Sequence, residues 1–276
     1  MVKISEHLDR PNAVIAYGDS GADGVPVVLT HGAGLDHSMF DAHAAALVRD
    51  GFRVIVWDLR GHGQSMLSEG TRFAARDALA DLDALLAECE VTRAVLVGHS
   101  LGGNLTQAFA REHPDRVRGM IIVDSTWNSG PLSSLERLAL RLAAPALSLI
   151  PARRLPGLMA RASAATPGAI ARAEALFARM PKSRFLDVWR ATVSFVDPTP
   201  HHRSGVPLAL VRGADDRTGN INDAMSRWAA FENIAEHVIP EAGHIVTWDA
   251  PAETTYTLRE ILENWRSADE HEEKRS

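Results

Sequence analysis

The chain has 276 residues, of which 46% are hydrophobic and 23% charged, with a formal net charge of −6. That is enough apolar material for one catalytic core carrying an insertion. The charge is too mild, and its Lys and Arg too scattered, to point to nucleic acid. No run of about 18 apolar residues offers a membrane span. The single cysteine, Cys89, excludes an intrachain disulfide. The first 17 residues carry Glu6, His7, Asp9 and Arg10 and no apolar stretch, which argues against a secretory signal peptide. A cytoplasmic location is therefore expected.

Taken in chain order, short apolar runs alternate with longer helical patterns. Residues 25–30 (VPVVLT) read as a strand, and 39–50 as a helix stopped by Gly51. A second strand is expected at 53–57 (RVIVW). A helix at 71–90 follows, with Leu82, Leu85, Leu86 and Cys89 at helical spacing, which makes Cys89 a buried core thiol. Residues 94–97 (AVLV) predict a strand, 101–113 a helix ending before Pro114, and 120–123 (MIIV) another strand. After a long interval come strands at 208–211 (LALV) and 237–240, then a closing helix at 253–265. The strand runs are β-branched with little alternation, as in parallel strands buried on both faces. Alternating strands and helices predict an α/β fold with a mostly parallel, doubly wound sheet.

The interval from 125 to about 200 breaks the pattern. It has no convincing strand and reads as short helices punctuated by Pro131, Pro145, Pro151, Pro156, Pro167 and Pro181. We expect an inserted helical cap over 125–204, a core formed by 1–124 and 205–268, and a frayed, disordered tail at 269–276. Between 131 and 195, ten Lys/Arg face only Glu136, Glu174 and Asp187. Two readings stand. The arginines form the solvated face of amphipathic helices, with Leu135, Leu138 and Leu142 turned inward beside Arg137 and Arg141. Alternatively, the insertion favours acidic substrates or an anionic surface.

Chemistry concentrates at Gly98-His99-Ser100-Leu101-Gly102, directly after the strand 94–97 and directly before the helix 101–113. A Gly-x-Ser-x-Gly sequence between strand and helix is a nucleophile elbow. The turn is tight enough to exclude side chains at both glycines, and the helix N-terminus places free amides beside the serine. On these residues the chain resembles the α/β-hydrolase fold family of serine hydrolases, esterase- or lactonase-like with a helical cap. The likeness runs over nearly all of the chain except the insertion.

The resemblance implies an order of nucleophile, acid and histidine. Ser100 is then the nucleophile and His244, in Ala242-Gly243-His244 after the last strand, the base. Asp216, three residues after Gly213, is the acid the resemblance selects; Asp215 and Asp124 stay open. The oxyanion would be held by the backbone amides of Leu101 and Ala33, the latter in the loop His31-Gly32-Ala33-Gly34. The loop 58–65 would support the site, His31 and His62 would brace loops, and His99 would point away from Ser100. His201 and His202 are adjacent and diverge, so they make no metal pair. Phe40, Trp127, Asn128, Trp189 and Trp248 are candidate pocket residues, with ordinary packing an equal account of each.

The implied activity is acyl transfer on a small, largely apolar ester or lactone, of the carboxylesterase or lactonase type, without metal or organic cofactor. A serine at this place argues against the dehalogenases and epoxide hydrolases of the fold, which use Asp. C–C bond hydrolases and cofactor-free perhydrolases share the triad. A hydrolase-fold receptor with little turnover is an alternative of a different class. The expected partner is a small molecule, and a homodimer is not legible.

Overall fold

The computed structural model describes residues 2–199 and 201–273, with side chains as far as residue 268. An antiparallel hairpin of β1 (Glu6–Arg10) and β2 (Ala13–Asp19) opens the chain. Then come β3 (Pro26–Thr30), a 3-10 turn His37–Phe40, α1 (Asp41–Arg49), β4 (Arg53–Trp57), β5 (Met66–Leu67) and α2 (Ala75–Glu88). The centre is β6 (Ala94–His99), α3 (Leu101–Glu112) and β7 (Val117–Val123). Four helices follow without a strand among the described residues: α4 (Ser134–Leu149), α5 (Leu155–Ser163), α6 (Pro167–Phe177) and α7 (Lys182–Ser194). The chain returns through β8 (Leu208–Gly213), α8 (Ile221–Glu232), β9 (Glu236–Ile239), α9 (Val246–Asp249) and α10 (Pro251–Glu273).

The strands form one sheet in the order β1-β2-β4-β3-β6-β7-β8-β9, with β5 on β2. From β4 to β9 every pairing is parallel. Alternate residues of each strand serve opposite faces. On β6, Ala94 and Leu96 join a core with Leu82, Leu105, Phe109 and Met225, under α2, α3 and α8. Val95 and Val97 join the other core, with Leu47, Phe52, Leu258 and Leu262, under α1 and α10. The sheet is therefore doubly wound, and β6, buried along its whole length, ends at its middle.

The sequence reading omits β1, β2, β5 and α8. β1 is EHLDR, mostly exposed and bordering the sheet, so it lacks an apolar run. α8 buries Met225, Trp228 and Ala229 between polar neighbours. The expected helix at 39–50 begins as the 3-10 turn, capped by the Asp36 side chain. α10 extends to Glu273, and residues 274–276 of the expected tail lie outside the described residues.

The prolines in the four-helix stretch mostly start helices: Pro156, Pro167 and Pro181 stand at the N-termini of α5, α6 and α7, Pro151 follows the end of α4, and Pro145 lies inside α4. Pro156 and Pro167 sit in the first turns of α5 and α6, where no N–H partner is lost. α4 starts on a reciprocal cap between Ser133 and Glu136. The inward leucine face expected for α4 is reversed. Leu135, Leu138, Leu142 and Leu149 are 76%, 51%, 53% and 84% exposed. The helix packs on α7 and turns Leu140, Ala144 and Leu147 inward instead. Among the described residues no helix is long and apolar enough to cross a membrane.

Candidate active site

β6 delivers the chain to Ser100 at the N-terminus of α3. Ser100 has φ 51° and ψ −114°, a sparsely populated conformation for a residue with a Cβ, which costs about 1–3 kcal/mol. Close packing enforces it. A Cβ on Gly98 would lie 2.2 Å from the Gly102 carbonyl oxygen, and one on Gly102 2.3 Å from that of Thr30. The Ser100 amide donates to the Val123 carbonyl at 2.9 Å, and its own carbonyl accepts from the Ser125 hydroxyl at 2.8 Å. The serine is thus clamped from both directions. The first amides of α3, Leu101 included, have no intrahelical acceptor and are available to an anion.

Asp216 and His244 come together from the loops after β8 and β9. His244 Nδ1 lies 3.0 Å from Asp216 Oδ2, and both residues are buried. If Nδ1 donates, Nε2 is left as the proton acceptor. Burial would raise the Asp216 carboxyl, but the His244 ring and the Thr218 amide, 2.7 Å from Oδ1, hold it below its ordinary value. Asp215 is exposed and takes no part in this pair.

Asp124, at the end of β7, is the third carboxyl of the cluster. Its carboxylate oxygens, those of Asp216 and the His244 ring nitrogens supply atoms within 4.8 Å of one another. Asp124 is fully buried, accepts from the Gly213 amide at 2.8 Å, and leaves Oδ2 without a partner. Burial, and then the neighbouring Asp216 charge, push its pKa well above the carboxylate range. The two neighbouring carboxyls are thus pushed in opposite directions, Asp124 up and Asp216 down.

The surrounding histidines are neutral braces. His99 Nε2 donates to the His244 carbonyl at 2.7 Å, and its ring lies 4.8 Å from that of His244. Burial, then His244, lowers its pKa to about 3. His31 Nε2 accepts the Leu59 amide at 2.9 Å, so Nδ1–H donates to Gly32 O at 2.8 Å and fixes the loop that carries Ala33. His62 packs edge-on against Phe73, and burial lowers it to about 3. In the loop 58–65, Asp58 accepts from the His37 and Gln64 amides, and Arg60 grips Asp81.

A cavity of about 180 Å³ opens over Ser100. Ser100, His244, Ala33 and Trp189 all line it, with Phe177, Phe185, Met159 and Val193 as apolar walls from α5, α6 and α7. No Lys or Arg lines it among the described residues. A larger cleft of about 680 Å³ lies elsewhere, among Arg76, Arg111, Phe195 and Trp228, and holds none of the reactive residues.

Four candidate pocket residues are not on the Ser100 cavity. Phe40 is fully buried against His43 in the core under α1. Trp127 stacks on Trp228 of α8, 5.9 Å between centroids and 3° from parallel. Asn128 is consumed by the backbone and side chain of Asn104 and by Gln107. Trp248 lies under the Arg172 guanidinium at 4.4 Å. Each has a packing or hydrogen-bond partner that turns it away from the cavity.

Asp249, which the sequence offers only as part of a family-like Asp249-Ala250-Pro251 run into the last helix, has a positioning role that sequence reasoning did not assign. It accepts from the Gly243, Ala165 and Thr166 amides and the Thr166 hydroxyl at 2.8–2.9 Å. The Ile245 amide adds a bond to Ser163 O at 2.9 Å. The His244 loop is thus joined to the α5–α6 turn. The signal was the nearby Asp249-Ala250-Pro251 sequence, but only the fold brings residues 163–166 to it.

Residues 25–251 match the sequence model of the alpha/beta hydrolase fold. The sn-1-specific diacylglycerol lipase ABHD11 of Xenopus tropicalis is 36% identical over 107 residues, 38% of this chain and 33% of that protein. A 2-hydroxy-6-oxononadienedioate/2-hydroxy-6-oxononatrienedioate hydrolase of Paraburkholderia xenovorans is 27% identical over 250 residues, 84% of this chain and 85% of that protein. A thermophilic esterase from Thermogutta terrifontis superposes with a TM-score of 0.76 at 26% identity, over 95% of this chain and 99% of that one. The chain spans between a third and a half of the length of the first curated relatives it matches.

Proposed function

The chain belongs to the alpha/beta hydrolase fold family, and from that premise we propose that it is a serine hydrolase cleaving a small, largely apolar carboxylic ester or lactone. The observation that carries the reading is the single cavity shared by Ser100 and His244, with His244 Nδ1 engaged by Asp216. His244 Nε2 takes the Ser100 proton as Oγ attacks the carbonyl carbon. The amides of Leu101 and Ala33 receive the charge that builds on the carbonyl oxygen. His244 then gives the proton to the leaving oxygen. Water, deprotonated by His244 in turn, releases the acid from Ser100. In this reading the helices α4–α7 are the cap, and 125–204 is the unit that sets substrate size.

The cavity supports a short acyl group. At about 180 Å³ it falls below the roughly 300–1,000 Å³ of drug-sized sites. Its lack of Lys and Arg favours neutral substrates over dicarboxylates of the kind named for the Paraburkholderia relative. C–C bond hydrolysis therefore takes second place. The test is a panel of nitrophenyl esters and lactones of increasing acyl length. Turnover should peak at short chains and fall by at least ~10³-fold in Ser100→Ala, since the residual rate comes from binding and the oxyanion site alone. Undiminished turnover in that variant would remove the reading.

A further inference from the structure

α4 is apolar on two faces. Leu140, Ala144 and Leu147 turn toward the protein. On the opposite side, Leu135, Leu138, Leu142 and Leu149 fall within an arc of about 60°, at 3.6 residues per turn. The exposed Ala139, Pro145 and Ala146 border the stripe. Scattered surface leucines need no explanation, but a continuous stripe along a helix does.

Charge distinguishes what covers the outer face. Arg141 is exposed about 60° round the helix from the stripe and Arg137 about 100° round on the same side, and Arg153 and Arg154 are exposed just beyond its C-terminal end. The acidic residue of the helix, Glu136, turns away toward Asn220 and Arg227. Across 131–195 the basic residues outnumber the acidic by seven, while the whole chain carries −6. Two copies meeting stripe to stripe would bring like charges together. Nor does α4 contain an aromatic residue of the kind that anchors protein interfaces. A leucine face about 21 Å long, with arginines along one side and beyond its end, has the form of a helix lying in a lipid headgroup layer.

We propose that the outer face of α4 docks on an anionic lipid bilayer, with Leu135, Leu138, Leu142 and Leu149 entering the headgroup–acyl boundary and the arginines at lipid phosphates. This inference does not rest on the reaction assigned to Ser100. It does carry a consequence for it, because the inner face of the same helix, through Leu140, lines the Ser100 cavity.

The test is co-sedimentation of the full chain with vesicles of phosphatidylcholine alone and of phosphatidylcholine with phosphatidylglycerol. The protein should pellet with the anionic vesicles, far less with the neutral ones, and less as salt is raised. Leu138→Ser/Leu142→Ser should weaken that binding on the order of tenfold or more. Arg137→Gln/Arg141→Gln should weaken it by about tenfold and flatten the salt dependence. These side chains are exposed, so melting temperatures should be unchanged, and Ser100→Ala should bind as the wild type does. Two results would overturn the proposal: wild type remaining in the supernatant, or the leucine variant pelleting equally well. A wild-type dimer that becomes monomeric in the leucine variant, with no vesicle binding by either, would assign the stripe to a second copy.

Discussion

Three side chains, Asp124, Asp216 and His244, decide the chemistry at the residue scale. Two carboxyls this close in a buried site do not both ionise. The structure divides them, with Asp216 bonded to His244 and the Thr218 amide, and Asp124 facing Gly213 with burial and the Asp216 charge opposing its ionisation. Asp216→Asn should therefore reduce kcat by about 10⁴-fold, by forcing the wrong histidine tautomer. Asp124→Asn, which replaces a carboxyl whose ionisation is opposed by an amide of the same shape, should change kcat/KM by no more than about threefold. Ester kinetics on both variants decides it, and the reverse order would move the acid to β7. The raised Asp124 pKa also has a stability consequence. Between the ordinary carboxyl range and its folded value, the folded protein holds a proton that the unfolded chain releases. Asp124 therefore makes stability fall as pH rises through that window, by up to about 1.4 kcal/mol per pH unit. The buried His62 and His99, with pKa values near 3, act in the opposite direction below their unfolded pKa. The difference between wild type and Asp124→Asn isolates the aspartate. Denaturant midpoints against pH should show the variant gaining relative stability as pH rises, and parallel curves would refute the assignment.

The question at the scale of elements is how a loop after β9 holds a histidine over a serine at the end of β6. Asp249 supplies the hold, accepting four donors that tie the His244 loop to the α5–α6 turn. Asp249→Asn replaces an acceptor-only carboxylate by a group that must present an N–H to some of those donors. The expected loss is about 1–3 kcal/mol of stability, read as a lower melting temperature, together with reduced kcat. An unchanged melting temperature would show that the loop holds itself. The elbow was legible because Gly98, Ser100 and Gly102 satisfy a backbone constraint that lies within five residues. The pocket was not. Trp127 and Asn128 face partners on α8 and α3, and nothing local records those contacts. α4 was misread for the same reason, since its two apolar faces are equivalent in sequence until α7 covers one of them.

The whole molecule follows from burial on both sides of a parallel sheet. The five parallel strands β3, β4 and β6–β8 are short apolar runs whose alternate residues feed two cores, and they were legible on that ground; β9, EHVI and mostly half-buried, was legible only from its place before the histidine loop. β1 was not, because a bordering strand needs no continuous apolar run, whereas β2 lies inside the sheet and its buried run AVIAY carried a signal that went unread. The four-helix stretch is where sequence and function separate. Its lack of strands and its basic surplus could be read, but the cavity wall it builds from Met159, Phe177, Phe185 and Trp189 could not. What unites the account is Ser100 as the nucleophile. The most direct test is to treat the protein with a fluorophosphonate and locate the adduct by peptide mass spectrometry. A single phosphonyl group is expected on Ser100, absent in Ser100→Ala and much slower to form in Asp216→Asn. Labelling at another residue that survives in Ser100→Ala would contradict it.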